Sequence, residues 1–430
     1  MNQRAEKISR VQFLAIAICF LMNMCDGMNV MAISYVTNSI SKEWKVAPSH
    51  LGLVFSAGLL GMALGAMLLA PKADLIGRKS LILISALWMG LASFSTGFAQ
   101  SITMLVFLRL LTGLGIGCML ACTSTLAAEY APQKTKSFWV SFVMAGYPAG
   151  AVVSGLTANY LVIQYGWRVF FFSTGIITLL STPIAFLFLK ESLEFLLKKQ
   201  PANALNRINF ILKSMNKKAL DFLPKMETKY KQSSVVMLFD HEKIKSTIVL
   251  WVSFFLSFAA LYFLTSWIPK LALISGMSAS LAIYAGILFN LGALLGIIFQ
   301  GYLSTKFGLQ NVICYFLVGT ALLMMLFGFV KEPIILLLLF SLIGFGIQGG
   351  FIGLYAVAAR LYETEIRSTG IGWAIGFGRL GAIIGPFLGG IFISQGMTVA
   401  LNFTFFAVPV FIAGIATLFI NLKGEIVHEK

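Results

Sequence analysis

The eighteen residues 51–68 read LGLVFSAGLLGMALGAML and contain no charged side chain. A helix of this length rises about 27 Å, close to the hydrocarbon thickness of a bilayer, which is about 30 Å. Similar apolar runs recur along the whole chain, which has 430 residues and is 58% hydrophobic and 11% charged. Because about a quarter of the residues in a soluble protein are charged, this composition excludes a disordered chain and disfavours a soluble enzyme. The sequence predicts an all-α, multi-pass membrane protein.

The apolar runs predict twelve membrane spans. They cover residues 11–38, 49–71, 79–99, 101–126, 138–162, 168–190, 246–269, 278–303, 310–330, 333–358, 369–393 and 397–421. Most connections are short, whereas residues 191–245 form a polar, lysine-rich segment that divides the spans six and six. We therefore expect an N-terminal six-helix bundle (1–190), a cytoplasmic central loop (191–245) and a C-terminal six-helix bundle (246–430).

Basic residues are distributed unevenly between alternate loops. The formal net charge is +16, from 32 Lys and Arg against 16 Asp and Glu. If the N-terminus is inside, the outer loops hold only Lys42, Lys45, Arg168, Lys270 and Lys331. Two arginines lie within spans, and the remaining 25 basic residues are inside, where cytoplasmic loops gather Lys and Arg. We expect both termini in the cytoplasm and a multi-pass location in the cell inner membrane. The charge reflects this topology, so no nucleic-acid partner is expected.

Two segments of the first half recur in the second half at one offset. Residues 70–79 (APKADLIGRK) align with 301–310 (GYLSTKFGLQ), and residues 112–117 (TGLGIG) align with 343–348 (IGFGIQ), both 231 positions later. A shared offset indicates duplication. Two halves related by an axis along the membrane normal place a substrate site near mid-membrane. Near the C-terminus, helical spacing of glycines predicts a close-packed helix face at Gly372, Gly376, Gly381, Gly385 and Gly389.

Several motifs resemble the major facilitator superfamily. Its signature loop after the second span is matched by Asp74, Gly77, Arg78 and Lys79. Its fourth-span signature is matched by Arg109, Gly113 and Gly117. Residues 26–29 (DGMN), 51–68, 191–199 (ESLEFLLKK) and 378–390 (GRLGAIIGPFLGG) narrow the resemblance to the aromatic acid:proton symporters and their organic-acid relatives. Where that group usually has Asp-Gly-x-Asp in the first span, the fourth position here is Asn29.

The resemblance implies the major facilitator fold, with twelve helices in two bundles and transport by alternating access. It also implies that Asp74 and Arg78 belong to a cytoplasmic gate. Glu129 lies near the cytoplasmic end of the fourth span. This position indicates a gate residue that pairs with a cytoplasmic Arg or Lys, rather than a proton site.

Three charged residues are predicted deep in the spans. Asp26 is the one acidic residue well inside a span, and it lies near the midplane. Arg109 and Arg379 lie about 12 and 15 Å from the ends of their spans, so all three can reach a common depth. Charges at this depth are costly and usually functional. We expect Asp26 to carry a proton and Arg379 to bind a substrate carboxylate through its two-pronged guanidinium.

These roles have structural alternatives. For Arg109 we favour a lasting pair with Asp26, which it would tune for proton coupling, over direct contact with substrate. Asp26 could instead be locked to Arg109 for packing, and Arg379 could form an interhelical salt bridge. The remaining substrate-site candidates are polar or aromatic residues within spans, namely Asn29, Asn290, Gln348, Tyr355 and Trp373. Aromatic rings stack on flat substrates, but with 13% aromatic residues, packing or lipid contact better explains any single ring.

The sequence favours a proton-coupled secondary transporter that imports a small, aromatic carboxylate. We expect no metal or cofactor beyond the proton gradient, and a monomer in the lipid bilayer. A drug/proton antiporter is an alternative, although residues 146–150 (GYPAG) differ from the usual antiporter signature. A sugar or neutral-metabolite carrier is a second alternative. A membrane enzyme is disfavoured, because it would need a nucleophile with a positioned base. A transport-like sensor is disfavoured, because it would need a signalling domain.

Overall fold

The computed structural model describes residues 8–132, 135–215, 218–224, 238–239, 243–363 and 366–422, without the side chains of residues 137 and 368. Within these ranges the chain is helical and contains no strand. The α-helices are α1 (Arg10–Trp44), α2 (Pro48–Leu64), α3 (Ala73–Ile76), α4 (Arg78–Thr96), α5 (Ile102–Tyr130), α6 (Lys136–Tyr165), α7 (Trp167–Phe188), α8 (Leu193–Lys199), α9 (Ala204–Ser214), α10 (Ile244–Ile274), α11 (Ala279–Phe307), α12 (Leu309–Leu326), α13 (Pro333–Leu361), α14 (Arg367–Ser394) and α15 (Val399–Thr417). A π-helical turn (Gly65–Leu69) and a 3-10 turn (Ala70–Lys72) continue α2 into α3.

Twelve helical segments among the described residues are long and apolar enough to cross a membrane, which confirms the predicted spans. The largest differences are at the ends of α1, of the second span (Pro48–Ile76) and of α10, which continue five or six residues beyond the predicted bounds. Helix α1 continues through polar residues because nothing breaks it before Lys45, whose φ is +50°. Of the predicted central loop, residues 216–217, 225–237 and 240–242 lie outside the described residues.

The described chain packs as two units. The first unit contains the residues up to Ala32 together with residues 60–224, and the second contains Ile33–Leu59 together with residues 238–422. These units differ from the boundaries expected at residues 190 and 246, because packing follows contacts rather than the order of the spans. The two-bundle division of residues 1–190 and 246–430 stays a prediction.

Hydroxyl groups explain why Ile33–Leu59 packs with the second unit. Ser34 Oγ donates to the carbonyl oxygen of Ser266 on α10 at 2.8 Å. Ser56 Oγ donates to the carbonyl oxygen of Ile383 on α14 at 2.7 Å. Small side chains that bond to a facing backbone allow helices to approach closely within a membrane protein.

Helix contacts recur in the two units at the sequence offset of 231 residues. Glycines without room for a Cβ face a backbone carbonyl in four matching places: Gly61 at Leu110, Gly65 at Leu114, Gly292 at Ser341 and Gly296 at Phe345. A second matching set is Gly150 at Met24 and Gly381 at Phe255. Stacked ring pairs recur likewise, Phe20 on Phe142 and Trp251 on Trp373. The offset found in the sequence therefore corresponds to repeated packing inside each unit, which supports duplication.

The predicted glycine face of α14 is close-packed over only part of its length. A Cβ at Gly385 would meet the carbonyl oxygen of Ala259 on α10. A Cβ at Gly372 or Gly376 would have no neighbour within 4 Å. Regular spacing identifies a helix face, but whether that face meets a partner helix depends on where the two helices diverge.

Candidate functional site

Asp26 lies near the middle of α1, 16 residues after Arg10 and 18 before Trp44. Its side chain is 0% exposed, and neither carboxylate oxygen has a hydrogen-bond partner among the described residues. The neighbouring Gly27 explains the burial, because a Cβ there would collide with the carbonyl oxygen of Tyr147 on α6. An unpaired carboxylate is very costly to bury, whereas a protonated carboxyl carries no charge. The site is therefore suited to holding a proton.

Arg109 is also buried in the first unit, with 3% exposure, but it does not pair with Asp26. Its Nη2 donates to Thr96 Oγ1 at 2.8 Å, and its Nη1 donates to the carbonyl oxygen of Asn29 at 3.3 Å. Its guanidinium carbon lies 4.9 Å from the centre of the Phe171 ring. The predicted ion pair is not formed between the described atoms, because neutral oxygens and an aromatic face hold the guanidinium instead.

Asn29 lies one turn after Asp26 and adds another buried acceptor. Its amide nitrogen donates to the carbonyl oxygen of Cys25 and to Thr178 Oγ1, both at 2.9 Å. Its amide oxygen has no hydrogen-bond partner among the described residues. One turn of α1 thus presents three buried oxygens without donors within the described chain, two from Asp26 and one from Asn29. Such a group of acceptors can bind a proton or a ligand that carries hydrogen-bond donors.

The predicted gate residues meet at one end of the first unit. Arg78, the first residue of α4, forms an ion pair with Glu129 near the end of α5. It also lies 3.9 Å from Asp74. The side chain of Asp74 is 75% exposed and that of Glu129 is 14% exposed, so Glu129 is the shielded partner. Glu129 thus pairs with a basic residue, while its role in a gate stays a prediction.

Two residues of the central segment complete this arrangement, and neither was predicted as part of it. Arg78 Nη2 lies 3.1 Å from Glu194 Oε2, and Ser192 Oγ donates to Glu129 Oε2 at 2.6 Å. The sequence signal was the string at residues 191–199, which supported the resemblance without indicating a contact. We call the following residues the gate cluster: Asp74, Arg78, Glu129, Ser192 and Glu194.

The gate cluster has a titratable group outside the spans. The hydrogen bond from Lys198 lowers the pKa of Glu194, and the contact with Arg78 acts in the same direction against the opposing effect of burial. Beside the cluster, Glu191 Oε1 accepts the backbone N–H of Lys79 at 2.9 Å. This bond ties the start of α4 to the segment that leaves α7.

Arg379 is the cation of the second unit. It lies half-buried on α14, and no hydrogen bond or ion pair with another described residue engages its side chain. Tyr262 on α10 and Tyr355 on α13 are close enough to interact with its charge. The Tyr355 ring meets Phe254 and Phe351 edge-on, with centroids 5.2 and 5.4 Å apart. The second unit thus presents a guanidinium beside two phenol rings, and both have ring contacts, since Tyr262 stacks on Phe258 with centroids 5.9 Å apart.

The other predicted substrate residues have different environments. Asn290 is 3% exposed and donates to the carbonyl oxygen of Gly286 in its own helix at 2.9 Å. Gln348 is half-buried and has no hydrogen bond with other described residues. Trp373 is 49% exposed and stacks on Trp251 with centroids 6.1 Å apart. Asn290 therefore uses its amide within α11, whereas Gln348 and Trp373 have groups available for a ligand.

Potential metal ligands are dispersed. Within the described ranges, no group of three or more His, Cys, Asp or Glu side chains is arranged to hold a metal ion. All five cysteines are free and buried: Cys19, Cys25, Cys118, Cys122 and Cys314. The chemistry offered by the described spans is that of a buried acid and guanidinium groups.

The chain is similar to known proteins over nearly its whole length. The family described as Major Facilitator Superfamily matches residues 19–347 and 250–428. The 4-hydroxybenzoate transporter of Pseudomonas putida is 30% identical, with 98% of this chain and 95% of that protein covered. The benzoate transport protein of Acinetobacter baylyi is also 30% identical, with 96% and 90% covered.

The fold is similar to that of a solved transporter structure. The inward-open xylose transporter of Escherichia coli superposes with a TM-score of 0.76, covering 96% of this chain and 98% of that one, at 17% identity. This likeness concerns the fold and not the substrate. The family match, the full-length relatives and the twelve apolar helices together establish that this multi-pass membrane protein belongs to the Major Facilitator Superfamily of transporters.

Proposed function

We propose that this protein imports a small aromatic carboxylate together with one proton, by alternating access. It would act as a monomer in the cell inner membrane, with both termini in the cytoplasm. The observation that carries the proposal is Asp26, a fully buried acid in mid-helix whose two oxygens are unpartnered within the described residues. Buried acids of this kind are common at functional sites. Similarity to transporters named for 4-hydroxybenzoate and benzoate supports the substrate class.

Proton coupling would follow from changes in water access to Asp26. When water reaches the carboxyl from outside, the acid exchanges its proton with that compartment. When the pathway opens inside, the acid exchanges with the cytoplasm. Arg109 would stay hydrogen-bonded in the same unit, because its acceptors on Thr96 and Asn29 do not titrate. The charge of Asp26 is then set by solvent and substrate, and not by a permanent partner.

Substrate recognition would centre on Arg379. A planar guanidinium binds a carboxylate through two parallel hydrogen bonds. Tyr262 and Tyr355 would add hydroxyl donors and ring faces for an aromatic substrate. This arrangement favours a flat acid over a sugar, since a sugar offers no negative charge to a cation that lacks an ion-pair partner among the described residues.

The test is uptake by purified protein in proteoliposomes under an imposed pH gradient, with a panel of radiolabelled carboxylates. We expect aromatic acids to accumulate. Asp26→Asn should abolish gradient-driven accumulation and leave counterflow exchange, because a neutral amide cannot carry the proton. Asp221→Asn is the control, since it removes an exposed acid outside the helices. Unchanged accumulation in Asp26→Asn, or uptake of sugars without uptake of any acid, would refute the proposal.

The anchor is tested separately by Arg379→Lys. This change keeps the positive charge and removes the two parallel hydrogen-bond donors of the guanidinium. We expect the affinity of the protein for the carboxylate substrate to fall about 10- to 100-fold, which corresponds to roughly 1.4 to 3 kcal/mol. Arg367→Lys, the same substitution at the start of the same helix, should leave affinity unchanged. Equal affinity in Arg379→Lys and the parent protein would remove Arg379 as the anchor.

A further inference from the structure

A cavity of about 350 Å³ lies at the end of the first unit, beside the gate cluster. Its size falls within the range of small-molecule pockets, roughly 300–1,000 Å³. The walls come from the start of α4, the residues just after α7, and helices α8 and α9. Its charged lining residues are Lys79, Lys190, Arg207 and Glu191. None of these belongs to the proposed proton or substrate site.

The side chains that line this cavity offer more hydrogen-bond donors than its one carboxylate can engage. Glu191 Oε1 accepts the backbone N–H groups of Lys79 and Ser192, both at 2.9 Å, so the one lining carboxylate is already engaged. Lys79 Nζ donates a single hydrogen bond, to the carbonyl oxygen of a residue in α7, and has two N–H groups left. Within the described chain, the side chains of Lys190 and Arg207 have no ion-pair partner. The cavity is therefore suited to an anion.

The surface next to the cavity is apolar and exposed. Leu180, Phe186 and Leu187 on the last turns of α7 are each 62–63% exposed. Phe210 on α9 is 63% exposed, and Lys190 Nζ lies 5.4 Å from the centre of its ring. An apolar strip on a membrane-spanning helix that ends at a basic cavity matches an acyl chain followed by its head group.

We propose that this cavity binds the phosphate of an anionic phospholipid, with the acyl chains along α7. Lys190 and Arg207 supply the charge, and the free N–H groups of Lys79 supply hydrogen bonds. The bound phosphate lies next to the gate cluster, because Lys79 follows Arg78 directly. The proposal does not depend on which substrate the protein transports.

The experiment is native mass spectrometry of the full-length protein in detergent, titrated with phosphatidylglycerol or with phosphatidylcholine of the same acyl chains. We expect phosphatidylglycerol to be retained in preference. Lys190→Gln and Arg207→Gln should each weaken that binding about five-fold, and the double variant about 25-fold, at about 1 kcal/mol for each charge. Lys213→Gln removes an exposed charge from α9 outside the cavity and should bind like the parent protein.

Equal retention of the two lipids, or equal losses in Lys213→Gln and Arg207→Gln, would overturn the site. A second arm adds inorganic phosphate at millimolar concentration. We expect it not to displace phosphatidylglycerol, because it lacks the acyl chains that contact α7. Full displacement, with phosphate binding lost in Arg207→Gln, would assign the cavity to free phosphate and overturn the lipid. The melting temperatures of the variants should equal that of the parent protein, since the changed side chains lie at the surface.

Discussion

The gate cluster has an internal asymmetry that a double-mutant cycle can measure. Arg78 is 10% exposed, and its guanidinium contacts four side chains, Glu129, Ser192, Glu194 and Asp74. Glu129 is 14% exposed, and among the described residues its cation is Arg78. Removal of the Arg78 charge leaves a shielded carboxylate without its cation. Removal of the Glu129 charge leaves Arg78 with Glu194 at 3.1 Å.

The free energies of unfolding should reflect this difference. Loss of one partner of a buried ion pair costs about 3–5 kcal/mol, and we expect Arg78→Gln in that range. Glu129→Gln should cost about 1–3 kcal/mol, because one charge-assisted hydrogen bond is weakened while Arg78 keeps another carboxylate. The double variant should be less destabilised than the sum by about 1–3 kcal/mol, because the two side chains interact directly.

The buried cysteines provide the assay. All five are buried, so a thiol-reactive fluorogenic dye reports the melting temperature of the purified protein as unfolding exposes them. We expect the melting temperature to fall slightly in Glu129→Gln and strongly in Arg78→Gln, with the double variant close to Arg78→Gln. Lys72→Gln, which removes an exposed charge nearby, should have no effect. Equal losses in the two single variants, or additive losses in the double variant, would refute the asymmetry.

Three further predictions concern packing, pH and voltage. Gly27→Ala should destabilise the protein by about 1–3 kcal/mol in the same dye assay, because a Cβ would meet a carbonyl oxygen of α6, whereas Gly376→Ala should be neutral or stabilising because nothing lies within 4 Å. The contribution of Glu194 to stability should be present above its ordinary pKa of 4.5 and be lost as the pH falls through its lowered pKa; Glu194→Gln should flatten the melting temperature over that interval. If Asp26 carries one proton per monoanion, uptake should not respond to an imposed potassium diffusion potential, whereas two protons would add roughly 2.3 kcal/mol per 100 mV.

The spans could be predicted because the hydrocarbon layer imposes a length and a composition on each helix. The helix ends could not, because they depend on local breakers such as Lys45 and not on hydropathy. The duplication offset predicted which segments correspond. It could not predict that Ile33–Leu59 packs with the second unit, because a hydroxyl that bonds to a carbonyl, as Ser34 does, leaves no periodic signal in the sequence.

The depth of the candidate-site residues along their helices could be predicted from the sequence. The direction of their side chains around the helix axis could not. Residue counts along α1 placed Asp26 near mid-helix, and the structure buries it there. Counts along a helix do not tell which way a side chain points around the axis, so Thr96 and Phe171 were not foreseen as partners of Arg109. Glu194 was missed for another reason, since an acid in a polar, lysine-rich segment resembles a solvated loop residue.

The separation of Asp26 from Arg109 favours proton carriage more than the predicted pair would have done. In a buried pair, protonation of the acid leaves the arginine without its counter-charge, and loss of one partner costs about 3–5 kcal/mol. Each transport cycle would have to meet that cost once, when the acid takes up its proton. In the observed arrangement Arg109 is held by a hydroxyl and a backbone carbonyl, neither of which titrates. Asp26 can then gain and lose a proton while Arg109 keeps its bonds. In the proposed mechanism, control of the proton would then pass to whatever brings water or substrate to Asp26, as alternating access requires.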